Sequence, residues 1–261
     1  MSSNTATGNV VPSTLPDVGD GHVPRVVAER LRKHGVVLLD GLHGRDEVRA
    51  AAELLMDPVT RHRDSGPDGL TALRDLGASI AGRSTFAGLG RGALAPHTDC
   101  TQAQDPPRLL LLACQQEGAV GGSSMLVDGR QVLGDVLRLG SEVLAALSAP
   151  RAAYFGDADG RFGPVLEPLG DDRWHLRYRE DALARFSPDA VPHLPALREA
   201  VRRNTVTVRL RTGQALLVDN HRVLHGRSAF TGERLMLRAL GAAAGWLELE
   251  PGFAAPSSST A

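Results

Sequence analysis

The motif His97-Thr98-Asp99 constrains this chain more than any other feature, and a second histidine-containing segment, DNHRVLHGR, follows far downstream. In an extended backbone, side chains at i and i+2 point to the same side, so His97 and Asp99 can face one metal ion. Pro96 disfavours helix at its neighbour and fits the end of a strand. Two histidines and one carboxylate are the ligand set of a mononuclear non-haem Fe(II) site, which leaves the opposite positions open for oxygen and an organic co-substrate. The alternative for this motif alone is a solvated turn.

Alternation in the downstream half predicts strands around the second segment. TVTVRL places Val206, Val208 and Leu210 on one face, and QALLVDN follows as a buried apolar run after a Thr-Gly turn. A further strand, RLMLRALGA, comes after the turn FTGE. His221 and His225 share the same strand parity, so spacing alone does not choose between them as the third ligand.

Two arginines in the last of these strands indicate an anionic ligand. Arg234 and Arg238 are four residues apart, so they share a face and lie roughly 13 Å apart at Cα. Guanidinium groups on an inward face need anions, because burying unpaired charge is costly. A dicarboxylate between arginine and metal would supply one through two parallel hydrogen bonds. The alternative is that both arginines lie on the surface, as most arginines do.

The order and intervals of four blocks resemble those of the clavaminate synthase and taurine dioxygenase-like (TauD/TfdA) family of Fe(II)/2-oxoglutarate dioxygenases. The blocks are GALAPHTD, PPRLLLLAC, GGSSMLVDGR and DNHRVLHGRSAFTGERLMLRA, and the resemblance covers roughly residues 25–247. It implies that His97 and Asp99 are the first two iron ligands and that His225 is the third, so His221 has no metal role.

The same resemblance implies a binding site for the co-substrate. Arg234 would bind the far carboxylate of 2-oxoglutarate, and Arg238 would lie near the near-iron carboxylate or the substrate. Ser124 stands where relatives often carry threonine, and its hydroxyl would hydrogen-bond to 2-oxoglutarate. The implied cofactors are Fe(II), 2-oxoglutarate as co-substrate, and O2.

The implied reaction is oxidation of an unactivated C–H bond, with 2-oxoglutarate decarboxylated to succinate. Related halogenases have a small residue in place of the carboxylate ligand, so Asp99 implies oxygenation. Hydroxylation is the expected outcome, and desaturation or ring closure by the same ligands stays open. A cupin-type metal-binding barrel without oxygenase activity would not need Arg234 and Ser124. A metal-dependent hydrolase would need a general base, and the sequence has no HExxH motif.

The substrate is predicted from the stretch RWHLRYRED, where Arg177 and Arg179 fall on one strand face. An arginine in this region of relatives can meet a substrate carboxylate, which makes Arg177 the candidate. The alternative is a charged, solvated strand edge. The expected substrate is a small amino acid or a carboxylated natural-product intermediate, free or tethered to a carrier protein, and residues 61–83 are expected to form a lid over it.

Composition fits a cytoplasmic enzyme. The chain has 261 residues, 42% of them hydrophobic, and a net charge of −1, which argues against nucleic-acid and membrane-surface partners. Its longest apolar stretch, residues 109–114, is far short of the about 20 residues that cross a membrane. Cys100 and Cys114 form neither a disulfide framework nor a CxxC site.

The predicted fold is mixed α/β but mainly β: a double-stranded β-helix, the jelly-roll-like, cupin-type barrel, with flanking helices. The barrel assignment depends on the resemblance. Residues 1–20 and 251–261 are predicted to be disordered, and residues 21–250 to form a single catalytic domain. Helices are predicted in four stretches: residues 23–35, ended by Gly35; GRDEVRAAAELLMD, ended by Pro58; residues 130–148; and residues 193–203.

Overall fold

Strands form most of the regular structure in the computed structural model, which describes residues 13–14, 22–60, 64–77 and 88–256. The helices of this part of the chain are α1 (His22–His34), α2 (Arg45–Leu55), α3 (Gly129–Leu139), α4 (Ser141–Ser148) and α5 (Leu194–Arg203). Its strands are β1 (Ser13–Thr14), β2 (Val36–Asp40), β3 (Met56–Val59), β4 (Thr71–Leu73), β5 (Leu94–His97), β6 (Leu109–Gln116), β7 (Val120–Gly121), β8 (Ser124–Asp128), β9 (Ala153–Phe155), β10 (Arg161–Gly163), β11 (Leu166–Gly170), β12 (Arg173–Leu176), β13 (Ala184–Phe186), β14 (Thr205–Val208), β15 (Ala215–Asp219), β16 (Val223–Arg227), β17 (Phe230–Thr231), β18 (Leu235–Ala243) and β19 (Phe253–Ala254).

The largest sheet has seven strands in the order β1-β2-β15-β6-β18-β3, with β4 paired to β18. Its central strands are antiparallel and come from distant parts of the sequence, as in the pairing of Ala215 with Ala113. Every residue of β15 is buried. The continuous apolar run that predicted a buried strand is therefore confirmed here, since a strand covered on both faces does not alternate.

A second sheet has four antiparallel strands in the order β14-β8-β16-β5. Strand β16 lies in its middle and is buried at every position, and it carries His225 opposite His97 of β5. The predicted TVTVRL strand forms as β14, but Val206 is 40% exposed. Of the three side chains that alternation placed on one face, Leu210 is buried and Val208 packs against the same core cluster, whereas Val206 lies on an edge strand and stays exposed.

Three apolar clusters show how the layers pack. Helices α1 and α2 cover one face of the large sheet, through side chains such as Val27, Leu31 and Leu55. Helices α3, α4 and α5 cover the outer face of the four-stranded sheet. The third cluster takes side chains from both sheets, among them Leu110 and Leu126, so it lies between them. The chain is therefore mainly β with helices on the outside, as expected.

Helix α1 ends as predicted, because Gly35 adopts φ +70° and a Cβ there would lie 2.7 Å from Val223. The predicted helix over residues 130–148 is two helices instead. Gly140 separates them with φ +113°, a conformation that no helix contains. Helix α2 ends at Leu55, before Pro58, and the chain continues as β3.

The chain ends differ from the expectation in part. Within the tail predicted to be disordered, Phe253 and Ala254 form β19 and pair with β12. Within the predicted disordered N-terminus, residues 13–14 pair in parallel with β2. The rest of the N-terminal prediction and residues 257–261 lie outside the described residues.

Candidate active site

The three predicted metal ligands converge on one point. His97 and His225 are directly opposite each other on antiparallel strands, with ring centroids 4.6 Å apart. His97 Nε2 lies 3.6 Å from Asp99 Oδ1, and His225 Nε2 lies 3.8 Å from Asp99 Oδ2. Potential ligand atoms of the three residues all lie within 4.8 Å of one another. This is the only such group of three or more histidine, cysteine or acidic residues in the part of the chain that the structure describes.

Asp99 reaches this point from a turn, not from the strand itself. Strand β5 ends at His97, and Thr98 then bonds the backbone of Tyr178 in both directions. Asp99 N donates to Asn220 Oδ1 at 2.7 Å, and Asn220 Nδ2 donates to Asp99 O at 3.1 Å. Asn220 is 0% exposed and also donates to Pro107 O. Sequence analysis assigned no role to this asparagine, although it fixes the ligand turn.

The electrostatics favour a cation between these side chains. Burial raises the pKa of Asp99, but Arg238 and the two histidines reverse this and hold it well below its usual range. Burial and the neighbouring His97 lower the pKa of His225 to about 3. At neutral pH the site therefore presents an ionised carboxylate and a neutral His225 imidazole, both as a metal ligand requires.

The donor chemistry fits Fe(II). Two imidazoles and one carboxylate on one face are typical of non-haem iron sites that leave further positions open. His97 Nδ1 lies 2.9 Å from Ala95 O, a contact that orients the ring and leaves Nε2 towards Asp99. His97, Asp99 and His225 are the residues that could hold the ion.

The triad opens into a cavity of about 560 Å³. Leucine side chains such as Leu110, Leu112 and Leu240 form its apolar lining. The predicted Arg234, Arg238 and Ser124 also line it. A pocket of this size, apolar with a few convergent polar groups, is typical of small-molecule sites.

Arg234 and Ser124 are the side chains best placed for an anionic co-substrate. Arg234 is 8% exposed and Ser124 is 3% exposed, and burial lowers the pKa of Arg234. No carboxylate or carbonyl of the described residues accepts a hydrogen bond from Arg234. The Arg234 side chain packs closely over Gly122, where a Cβ would lie 3.0 Å from Arg234 Nε. An almost buried guanidinium that has no partner among the described residues needs an anion.

Arg238 has a different environment. It comes four residues after Arg234, and its Nη1 lies 3.2 Å from Asp99 Oδ2. This arginine therefore lies beside the candidate metal ligands and holds the carboxylate in its ionised form.

The structure does not bring Arg177 to the cavity. Its guanidinium is buried and donates to the backbone carbonyls of Thr101 and Ala103, at 2.7 and 2.6 Å. Arg179 lines the cavity instead, held by Asp181. Strand β12 ends at Leu176, so the alternation that predicted a shared face for the two arginines does not extend to them.

His221 also lies outside the cavity lining. Its Nε2 contacts Pro106 O at 2.9 Å, and its ring lies 4.2 Å from that of His175. Of the predicted lid, residues 61–63 and 78–83 lie outside the described residues, whereas Asp64, Thr71 and Leu73 line the cavity. Among the described residues, no helix is long and apolar enough to cross a membrane.

Comparisons with known proteins identify a family for this chain. The model of the family "Taurine catabolism dioxygenase TauD, TfdA family" matches residues 5–240. Mitochondrial trimethyllysine dioxygenase of Bos taurus is 30% identical over 205 residues, which are 68% of this chain and 48% of that protein. A uridine-5'-phosphate dioxygenase of Streptomyces sp is 32% identical over 149 residues, 50% of this chain and 54% of that protein. The matched region thus spans about half the length of these curated relatives.

Solved structures show the same fold. Asparagine oxygenase, solved with Fe(II), 2S,3S-3-hydroxyasparagine and succinate, is 20% identical with a TM-score of 0.64, over 85% of this chain and 80% of that one. The non-heme iron oxygenase OrfP, solved with Fe, succinate and (3S)-hydroxy-L-Arg, is 18% identical with a TM-score of 0.66, over 84% of this chain and 82% of that one.

Proposed function

This chain belongs to the TauD/TfdA family of dioxygenases, and from that premise we propose that it is an Fe(II)/2-oxoglutarate-dependent dioxygenase that hydroxylates an unactivated C–H bond of a small amino acid or carboxylated natural-product intermediate. We propose a double-stranded β-helix for its two packed sheets, and residues 21–250 as its single catalytic domain. A cytoplasmic location goes with this proposal, since Cys100 and Cys114 are both free thiols.

The observation that carries the proposal is the shared cavity. It contains the convergent His97, Asp99 and His225, the Ser124 hydroxyl, and Arg234, which has no ion-pair partner among the described residues. A barrel that only stored a metal would have no need of a buried cation without an anion. A metal ligand set and a carboxylate-binding group in one pocket suit a metal-bound 2-oxo acid.

The bound group supplies the oxidising chemistry: Fe(II), 2-oxoglutarate and O2 together oxidise a C–H bond and release succinate. The residues of this chain supply placement. Arg234 binds the far carboxylate through parallel hydrogen bonds, and Ser124 donates its hydroxyl to the same molecule. Arg238 keeps Asp99 ionised. The leucine lining limits water in the cavity, which strengthens these electrostatic contacts.

Charges on the cavity walls support an amino-acid substrate. Arg179 uses Nε and Nη2 to bind Asp181, and its Nη1, which no hydrogen bond among the described residues occupies, suits a substrate carboxylate. Asp157 and Asp159 are exposed residues that also line the cavity, and neither forms an ion pair with any described residue. A zwitterion placed between Arg179 and these two carboxylates would satisfy both ends. Among the similar proteins, asparagine oxygenase and OrfP were solved with hydroxylated amino acids.

An anaerobic titration of metal-free protein with Fe(II) and 2-oxoglutarate tests the proposal. We expect the weak visible charge-transfer band of the chelate in the wild type and its loss in His97→Ala and His225→Ala. Succinate release then screens substrates, with free amino acids compared against the same amino acids tethered to a carrier protein. If iron binds but no band forms, the proposal is wrong and a cupin-type metal-binding barrel takes its place. Desaturation or ring closure would instead appear in the mass of the product.

A further inference from the structure

We propose that Arg227 is a positioning residue that couples occupancy of the Arg234 end of the cavity to the order of the adjacent cavity wall, residues 88–92. We call these residues the glycine turn, since Gly88, Gly90 and Gly92 alternate in it with Leu89 and Arg91. The coupling rests on the proposed function, because 2-oxoglutarate is the anion that would occupy the Arg234 end. The anchoring of the turn by Arg227 does not depend on the proposed function.

Arg227 holds the turn by one side chain. Its Nη1 donates to Gly88 O at 3.3 Å, and its Nη2 donates to Gly90 O at 2.7 Å and also to Gly92 O. All three acceptors are backbone carbonyls, and Arg227 is only 6% exposed. A planar guanidinium can serve carbonyls in several directions at once, whereas the ammonium of lysine cannot match that geometry.

The position of Arg227 links the turn to the active site. It follows His225 by two residues on β16, and it pairs with Ser124 on β8. At the other end of its side chain, Leu89 of the turn lines the same cavity as the triad. A shift of the turn therefore changes the shape of the cavity. Arg227 acts on the cavity only through the turn, and not as a metal ligand.

The charges around Arg227 connect the turn to the co-substrate. The guanidinium carbons of Arg227 and Arg234 lie 4.8 and 5.6 Å from the ring centroid of Phe230. No carboxylate among the described residues bonds either group, and the nearby Asp75 pairs with Arg91 instead. Two cations beside one ring, with the carboxylate of Asp75 already bound to Arg91, repel each other in a low-dielectric pocket. A dicarboxylate at Arg234 offsets this repulsion, so Arg227 can keep its place against the turn.

Two backbone amides report directly on whether the turn is docked. Leu76 N donates to Leu89 O at 2.9 Å, and Phe230 N donates to Arg91 O at 3.1 Å. Both acceptors belong to the turn and both donors lie outside it. Hydrogen exchange at Leu76 and Phe230 therefore measures undocking of the turn without any need for turnover.

The test is hydrogen–deuterium exchange at these two amides, under anaerobic conditions with Mn(II), with and without saturating 2-oxoglutarate. We expect 2-oxoglutarate to slow exchange in the wild type by about tenfold, the equivalent of one additional hydrogen bond. Arg227→Lys keeps the charge but not the three contacts, so it should exchange faster than the wild type and respond little to 2-oxoglutarate. Its dissociation constant for 2-oxoglutarate should rise less than that of Arg227→Gln, which also loses the charge.

The matched control is Arg209→Lys, since Arg209 is exposed and pairs only with Glu117 among the described residues. Its exchange at Leu76 and Phe230 should equal that of the wild type. Equal exchange in Arg227→Lys and the wild type would overturn the anchoring. No response of the wild-type amides to bound 2-oxoglutarate would overturn the coupling, whether or not the lysine variant folds. If the wild type binds no 2-oxoglutarate, the proposed function and the coupling are both wrong, and the comparison of lysine variant with wild type still decides the anchoring.

Discussion

The side-chain amide of Asn220 bonds both backbone polar groups of Asp99, across 121 residues of sequence, at 2.7 Å and 3.1 Å. A third bond joins the same amide to Pro107 O. These hydrogen bonds join the turn after β5 to the segment that precedes His225. One buried side chain, which lies just before β16 and its His225, thereby fixes the turn that carries Asp99, and such support gives a candidate metal site a fixed geometry.

We predict that Asn220→Ala weakens metal binding by about 10–100-fold, the usual effect of losing a residue that orients ligands. The variant leaves the backbone of Asp99 unpaired, so the carboxylate no longer has a single position. Calorimetric titration of metal-free protein with Fe(II) under anaerobic conditions measures this change.

The control for this prediction is Asn204→Ala. Asn204 is also an asparagine with partly buried contacts, to Asp135 and Ala200 O, but it lies at the end of α5. It should lower the melting temperature and leave metal affinity unchanged. Equal metal affinity in Asn220→Ala and the wild type would show that Asp99 needs no such support.

A second prediction separates the two downstream histidines. His225→Ala should abolish tight Fe(II) binding, because it removes one of three ligands, whereas His221→Ala should retain it. His221 contacts Pro106 O and stacks near His175, away from the cavity lining. Metal content after dialysis distinguishes the variants. Loss of iron in His221→Ala with retention in His225→Ala would reverse the assignment.

A third prediction concerns the co-substrate. Arg234→Ala should weaken 2-oxoglutarate binding by about 3 kcal/mol, since it leaves a buried carboxylate without its partner; this is roughly a hundredfold in dissociation constant. Ser124→Ala removes one neutral donor and should cost about 1 kcal/mol. Titration of the charge-transfer band gives both constants. Similar constants in Arg234→Ala and the wild type would exclude this arginine as the carboxylate partner.

The acid sensitivity of the metal-free protein gives a fourth prediction. Burial is the main cause that lowers the pKa of His221 and of His225, each from 6.5 to about 3. Below pH 6.5 the unfolded chain binds protons at both positions and the folded protein does not. Stability is therefore full above pH 6.5 and is lost as pH falls towards 3, at up to about 1.4 kcal/mol per pH unit for each histidine.

Urea unfolding of metal-free protein at pH 7 and pH 5.5 measures this loss. His221→Gln removes one of the two groups, so its free energy of unfolding should fall less steeply with decreasing pH than that of the wild type. Equal slopes in the two proteins would mean that His221 takes up its proton in the folded state.

The sequence predicted the candidate metal-binding side chains better than the residues that hold them in place. The residues at 97, 99 and 225 form a cluster that could hold a metal ion, and the sequence blocks around them matched a family that the comparisons confirm. The role of Asn220 was not predicted, because its partners, Asp99 and Pro107, are more than 100 residues away in the sequence. No local periodicity reflects such contacts. The available signal was a polar residue directly after the buried run of β15.

Local sequence patterns likewise predicted where helices and strands occur better than they predicted which strands pair with each other. Gly35 marked the end of α1, because only a residue tolerant of positive φ fits there. Gly140 also tolerates positive φ, and it divides α3 from α4. The sequence pattern nevertheless predicted one long helix across it. Strand order, such as β15 between β2 and β6, depends on pairing across the whole chain and has no local signature.

The last prediction distinguishes Arg179 from Arg177. Arg179→Gln should raise the KM for the amino-acid substrate at least tenfold and leave 2-oxoglutarate binding unchanged, because the lost contact is a charge-assisted bond worth about 1.5–3 kcal/mol. Arg177→Gln should instead lower the free energy of unfolding by roughly 2–3 kcal/mol, since Thr101 O and Ala103 O lose buried donors.

Steady-state kinetics and urea unfolding of both variants decide between these positions. For Arg179→Gln we expect a KM effect and only the loss of stability that comes from breaking its half-buried pair with Asp181. For Arg177→Gln we expect a loss of stability without a KM effect. A selective KM effect in Arg177→Gln would mean that the loop of residues 101–104 releases this guanidinium when substrate binds, and that the sequence-based choice of Arg177 was right.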